Sequence, residues 1–136
     1  MATIRKADYF VVHAPNRAGE GAKLLKALKK AGVNLLAMTA FPEGKGSQVD
    51  LVPEKPAALK KVAKNLGLKL SAAKTCFVIQ GSDRIGVLTS VMDKLGKAGV
   101  NVTAIDAVAA GWTRFGAIFW VKAKDVAKAA KVLKAK

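Results

Sequence analysis

Residues 77–107, FVIQGSDRIGVLTSVMDKLGKAGVNVTAIDA, read as strand, loop, helix, turn, strand. Residues 77–80 are an apolar run of strand length, and Gly81, Ser82 and Asp83 break it with a residue that can cap a helix. Ile85, Leu88, Val91, Met92 and Leu95 recur at three and four, which is the spacing of one helix face. Gly99 closes that helix, and Val100, Val102 and Ile105 open the next strand. The design occurs twice. Shifted back by 67, Phe10, Arg17, Gly19, Leu28, Gly32, Val33 and Asn34 fall under Phe77, Arg84, Gly86, Leu95, Gly99, Val100 and Asn101. A chain that repeats at half its length is two copies of one supersecondary unit.

The first copy predicts a strand at 7–13 and a helix at 18–31 with Leu24, Leu25 and Leu28 inward and Lys23, Lys26 and Lys30 outward. Strands at 33–41 and 48–52 follow, joined by a turn-rich loop at 42–46. Pro56 opens a second helix at 56–66, Gly67 ends it, and 68–71 is a short fourth strand. The second copy predicts strands at 75–80, 100–107 and 115–122 and a helix at 125–135. Its fourth strand has no counterpart, and either residues 3–5 or another subunit fills the vacant edge. Each copy is therefore βαββαβ or nearly so. The expected fold is α+β, with two ferredoxin-like units over residues 1–71 and 72–136, each an antiparallel sheet with helices on one face.

Composition narrows the function classes. The 136 residues are 51% hydrophobic, yet each apolar run falls far short of the roughly 20 residues that span a bilayer. No signal-peptide core opens the sequence, so a cytoplasmic protein without membrane partners is expected. The single cysteine, Cys76, excludes an internal disulfide and a multi-cysteine metal site. Beside Phe77 in a strand pattern it reads as a buried inert thiol. Basic residues outnumber acidic ones 24 to 9, for a net charge of +15. Residues 1–67 hold 12 basic and 5 acidic side chains and residues 68–136 hold 12 and 4, so the excess is even. Twenty of the basic residues are lysine and four arginine. Specific phosphate recognition favours arginine, so only weak, non-specific nucleic-acid binding is expected. No triad, acid pair, metal-ligand cluster or P-loop appears. No catalytic residue, metal or cofactor is assigned, and the chain is not expected to be an enzyme.

The strand–loop–helix corner resembles that of the ACT domain, a small amino-acid-sensing module of metabolic regulation. The second copy has Asp83-Arg84-Ile85-Gly86-Val87-Leu88 and then Gly99-Val100-Asn101-Val102. The first has Asn16-Arg17-Ala18-Gly19 and then Gly32-Val33-Asn34-Leu35. The resemblance covers nearly the whole chain, twice and in order. It departs from the family where Ile85 and Ala18 replace a usual proline, and where Glu20 and Gly21 stand in place of Val87 and Leu88. It implies a free-standing tandem ACT protein that binds a free amino acid and signals to an unidentified metabolic enzyme or regulator.

A zwitterion needs donors for its carboxylate and acceptors for its ammonium, and a helix N-terminus supplies donors. The expected ligand residues are Asp83, Arg84, Ile85, Gly86, Asn101 and Val102 in the second copy and Asn16, Arg17, Gly19 and Asn34 in the first, with Asn101 and Asn34 taken to stand beside the same helix starts as Asp83 and Asn16. Asp83 and Asn16 serve equally as helix caps, Asn34 and Asn101 can satisfy local backbone, and the arginines can be surface charges. His13 reads as a partly buried strand residue, and Trp112 as a possible ligand cover. A homodimer is expected, because the second copy ends on a helix with one sheet edge open. The alternative function is nucleic-acid binding on an RNA-recognition-like plait, since Phe115, Ala117 and Phe119 of 114-RFGAIFW-120 share one strand face and stacked bases need such aromatics.

Overall fold

The computed structural model describes residues 2–136. Its elements follow the order β1 (Ala2–Pro15), α1 (Glu20–Lys30), β2 (Leu35–Glu43), β3 (Gly46–Pro53), α2 (Pro56–Leu66), β4 (Lys74–Ser82), α3 (Thr89–Lys97), β5 (Val102–Ala109), β6 (Arg114–Val121) and α4 (Val126–Leu133), with a 3-10 turn at Ala123–Asp125 before α4. The chain divides into two compact units. One is Asp8–Lys74, and the other joins residues 2–7 to Thr75–Lys136. The expected first boundary at 1–71 thus differs at its start, because β1 is longer than the 7–13 pattern showed and its first half pairs elsewhere.

In the Asp8–Lys74 unit, β3 lies between β1 and β2. Phe10 faces Leu51 and Val12 faces Val49 across the β1–β3 ladder, and Glu43 faces Gly46 at a two-residue hairpin turn. Alternation along each strand sends Phe10, Val12, Val49 and Leu51 to one face. There they meet Leu24 and Leu28 of α1 and Leu59 and Val62 of α2 in one buried cluster. Lys60 of α2 extends over the Phe10 ring, 5.7 Å from its centroid. The expected fourth strand at 68–71 is not a strand. Ser71 alone pairs with β1, its N–H donating to the Val11 carbonyl (3.0 Å) and its Oγ accepting from the Val11 N–H (2.9 Å).

The second unit repeats the plan. β6 lies between β4 and β5, with Phe77 facing Phe119 and Ile105 facing Phe119 on the other side. The Phe77 and Phe119 rings stack at 4.9 Å and form one buried cluster with Ile79, Val91, Leu95, Ala129 and Leu133. The vacant edge is filled from within the chain. The first residues of β1 lie beside β4, where the Thr3 Oγ donates to the Gln80 carbonyl (3.4 Å) and the Cys76 thiol to the Ala7 carbonyl (3.6 Å). Beyond them Lys136 exchanges backbone hydrogen bonds with Ile4 and Lys6. Cys76 is fully buried, as its strand position predicts.

Candidate functional site

The two corner helices, α1 and α3, start later than the sequence pattern indicates, and this reshapes the corner. α1 begins at Glu20 after a left-handed Gly19 (φ 90°), with no side-chain cap. α3 begins at Thr89, also without one. Asn16 and Asp83 are therefore loop residues and cap nothing. Between Asp83 and α3 the chain makes two successive turns, in which the Val87 N–H donates to the Arg84 carbonyl and the Thr89 N–H to the Gly86 carbonyl. Gly86 takes φ 69°, a region that glycine enters without strain. Those turns put Ile85 outside the helix face that its spacing suggested, and it is fully exposed. They also use the Val87 N–H, a backbone donor that a helix start at Ile85 would have left free.

The corner residues stay together, whereas the asparagines do not join them. Asp83 donates its N–H to the Thr113 carbonyl (2.7 Å), which ties the β4–α3 loop to the β5–β6 loop. Asn101 follows α3 and precedes β5 at the other end of the unit. In the ladders Ser82 faces Arg114 and Val102 faces Val121, seven residues apart along β6. At about 3.3 Å per residue that is roughly 23 Å. The expectation that Asp83 and Asn101 flank one helix start is corrected, and Val102 goes with Asn101. Asn16 and Asn34 are separated likewise, by the whole of α1. The Asn34 side-chain amide donates to the Glu54 carboxylate (3.3 Å), and the Asn34 backbone carbonyl accepts from the Glu54 N–H (2.9 Å). The side chain thus pairs with a carboxylate across from it rather than with local backbone, and this pairing needs no ligand.

A feature the sequence did not reveal stands at each corner. In the second unit a 380 Å³ cavity opens between the end of β4, the first turns leading into α3, the end of α4 and the start of β1. In the Asp8–Lys74 unit a 280 Å³ cavity opens between the end of β1, α1 and the end of α2. Ile79, Ser82, Val87, Ser90, Val91, Lys94 and Leu133 line the first, and Val12, Pro15, Glu20, Lys23, Leu24, Ala27 and Leu66 line the second. Each pair is separated by 67 residues, so the two hollows are one feature repeated. Both have apolar walls, and their polar groups differ. Glu20 and Lys23 bring both signs of charge to the first unit, while Arg84 and Lys94 bring cations alone to the second. Arg17 holds Glu20 at 2.8 Å, with Glu20 largely covered and Arg17 in solvent. His13 is exposed rather than partly buried. The internal shift of 67, applied to the polar positions of the first helix turns, was the signal available for Lys23, Glu20, Ser90 and Lys94.

Phe115 and Phe119 of β6 are buried against the helices, so they offer no face on which a base could stack. Trp112 is 96% exposed and covers nothing. No group of His, Cys, Asp or Glu among the described residues could hold a metal ion, and no helix is long and apolar enough to cross a membrane.

No protein-family model and no curated protein matches the sequence. Solved structures do match the fold. A protein of Bacteroides thetaiotaomicron superposes with a TM-score of 0.79 at 19% identity, over 98% of this chain and 88% of its own. The ligand-free regulatory subunit of aspartate kinase from Thermus thermophilus matches with a TM-score of 0.61 at 17% identity, over 98% and 95%. Aspartokinase III of E. coli, in complex with lysine and aspartate, matches with a TM-score of 0.56 at 14% identity, over 98% of this chain and 32% of the enzyme. At these identities the likeness is one of fold.

Proposed function

We propose that this chain, two ACT-like units in tandem, is a regulatory protein rather than an enzyme and binds a free amino acid at a strand–loop–helix corner. The recurrence of one cavity at the same corner of both units carries this reading. A hollow that survived duplication at the end of the first strand and the start of the first helix is where a ligand would be held. In the first unit the chemistry suits a zwitterion. Glu20 accepts from the ammonium, Lys23 meets the carboxylate, and Val12, Leu24 and Leu66 receive the side chain. Asn16, Arg17 and Gly19 form the adjoining loop, with Arg17 holding Glu20 in place. In the second unit Asp83, Arg84, Ile85 and Gly86 form the equivalent loop. Asn34, Asn101 and Val102 stand too far from it to share a ligand within one unit. The regulatory role is supported by the aspartate kinase regulatory subunit of the same fold. A second copy of the chain and a metabolic enzyme or regulator are the proposed partners.

A thermal-shift screen of the twenty amino acids at millimolar concentration tests the reading. A ligand that binds only the folded state stabilises by about 2.7 kcal/mol at a hundredfold excess over Kd, which raises Tm by several degrees in a chain of this size. One or a few amino acids should do so, and Glu20→Gln with Lys23→Gln should abolish the shift while the unliganded Tm holds. No shift with any amino acid, or a shift that survives both substitutions, contradicts it.

A further inference from the structure

The cavity of the second unit differs from its counterpart in a way that selects another ligand. Where the first unit has Glu20 and Lys23, the second has Val87 and Ser90, and where the first has Ala27 the second has Lys94. No carboxylate lines it. Neither Arg84 nor Lys94 has an ion-pair partner among the described residues. Both cations and the hydroxyls of Ser82 and Ser90 stand exposed at the rim. The floor is apolar, made of Ile79, Val91, Phe115 and Leu133, each buried. Its 380 Å³ lies in the size range of small-molecule sites, about 300–1,000 Å³.

We propose that this cavity binds a small carboxylate with an apolar tail and no ammonium group, a branched 2-oxo acid being the type. The carboxylate meets Arg84 and Lys94, whose charges need an anion. The Ser90 hydroxyl donates to a carboxylate or keto oxygen, and the tail lies on Phe115 and Leu133. An ammonium would enter a site with two cations and no acceptor carboxylate, and would lose its water for nothing. The same α-carbon substituent therefore separates the two hollows, one equipped for the zwitterion and the other for the acid without its amino group. This site stands on its own residues and does not require the amino acid site to exist.

Calorimetric titration of the full chain with 4-methyl-2-oxopentanoate, leucine and acetate tests it. The 2-oxo acid should bind at millimolar concentration or below. Acetate, with the charge and no tail, should bind at least tenfold more weakly, and so should leucine at this site. Arg84→Gln with Lys94→Gln should weaken the 2-oxo acid at least tenfold, and these exposed side chains can be changed without loss of the fold. Glu20→Gln with Lys23→Gln should leave it unchanged. No binding, acetate as tight as the 2-oxo acid, leucine as tight in the Glu20→Gln, Lys23→Gln variant, or indifference to the Arg84 and Lys94 changes overturns the assignment.

Discussion

Ile85 and Phe119 show how far a residue's role can be taken from its neighbours in sequence. Ile85 sits in phase with Leu88, Met92 and Leu95, yet it is fully exposed, while Phe119 is wholly buried and stacked on Phe77. Ile85→Ala should change stability by no more than about 0.5 kcal/mol, whereas Phe119→Ala should cost about 3–5 kcal/mol by loss of burial and the cavity left behind. Urea denaturation of the two variants measures both, and a loss above 2 kcal/mol for Ile85→Ala would return it to the core. Gly86→Ala forces a side chain into φ 69° with its Cβ 3.2 Å from Thr89 Oγ1, and should cost about 1–2 kcal/mol. The periodicity of apolar residues carried no information about that left-handed glycine, and so it ran the helix one turn too early. The glycines that end the helices were legible, since Gly67 caps α2 in the left-handed conformation. The asparagines were misplaced although Gly32 and Gly99, read as helix ends, already put Asn34 and Asn101 a helix length away from Asn16 and Asp83.

At the scale of elements, α2 was legible to the residue and β1 was not. Pro56 and Gly67 mark both ends of α2. β1 begins with Ala2, Thr3, Ile4, Arg5 and Lys6, whose charges hide a strand that is buried less in its first half than in its second. The expected cause of dimerisation, an open edge in the second unit, is removed because that strand closes it. The outer strands β2 and β5 provide another. In a chain with 20 lysines neither carries a Lys or Arg, although lysine is a common protection of sheet edges. β5 is exposed along most of its length and has one charge, Asp106. Pairing of such an edge with a second copy is the proposed route to the dimer. Light scattering at tens of micromolar should give twice the chain mass of 14.2 kDa, and Ile105→Lys with Val108→Lys should shift it to the monomer. A monomer mass for the unaltered chain contradicts this.

For the whole molecule, charge and repetition act together. The net charge of +15 is even along the chain, and no aromatic platform accompanies it on the sheet. Nucleic acid should therefore bind without sequence preference, and its affinity should fall at least tenfold between about 50 and 200 mM salt as fewer counterions are released. Submicromolar binding of one particular RNA at physiological salt would instead favour the alternative. The twofold βαββαβ plan was legible because glycines, apolar faces and turn residues recur at a shift of 67. The paired cavities were not, because their walls come from strand ends and from a second helix about forty residues away, which only folding brings together. The most direct test of the account is where a free amino acid lands. Backbone amide NMR of the labelled chain, titrated with the twenty amino acids, reads this residue by residue. The account predicts saturable shifts in residues 12–27 and 66–68, around the first-unit cavity. Shifts confined to residues remote from both corners, or no saturable shift at all, would contradict it.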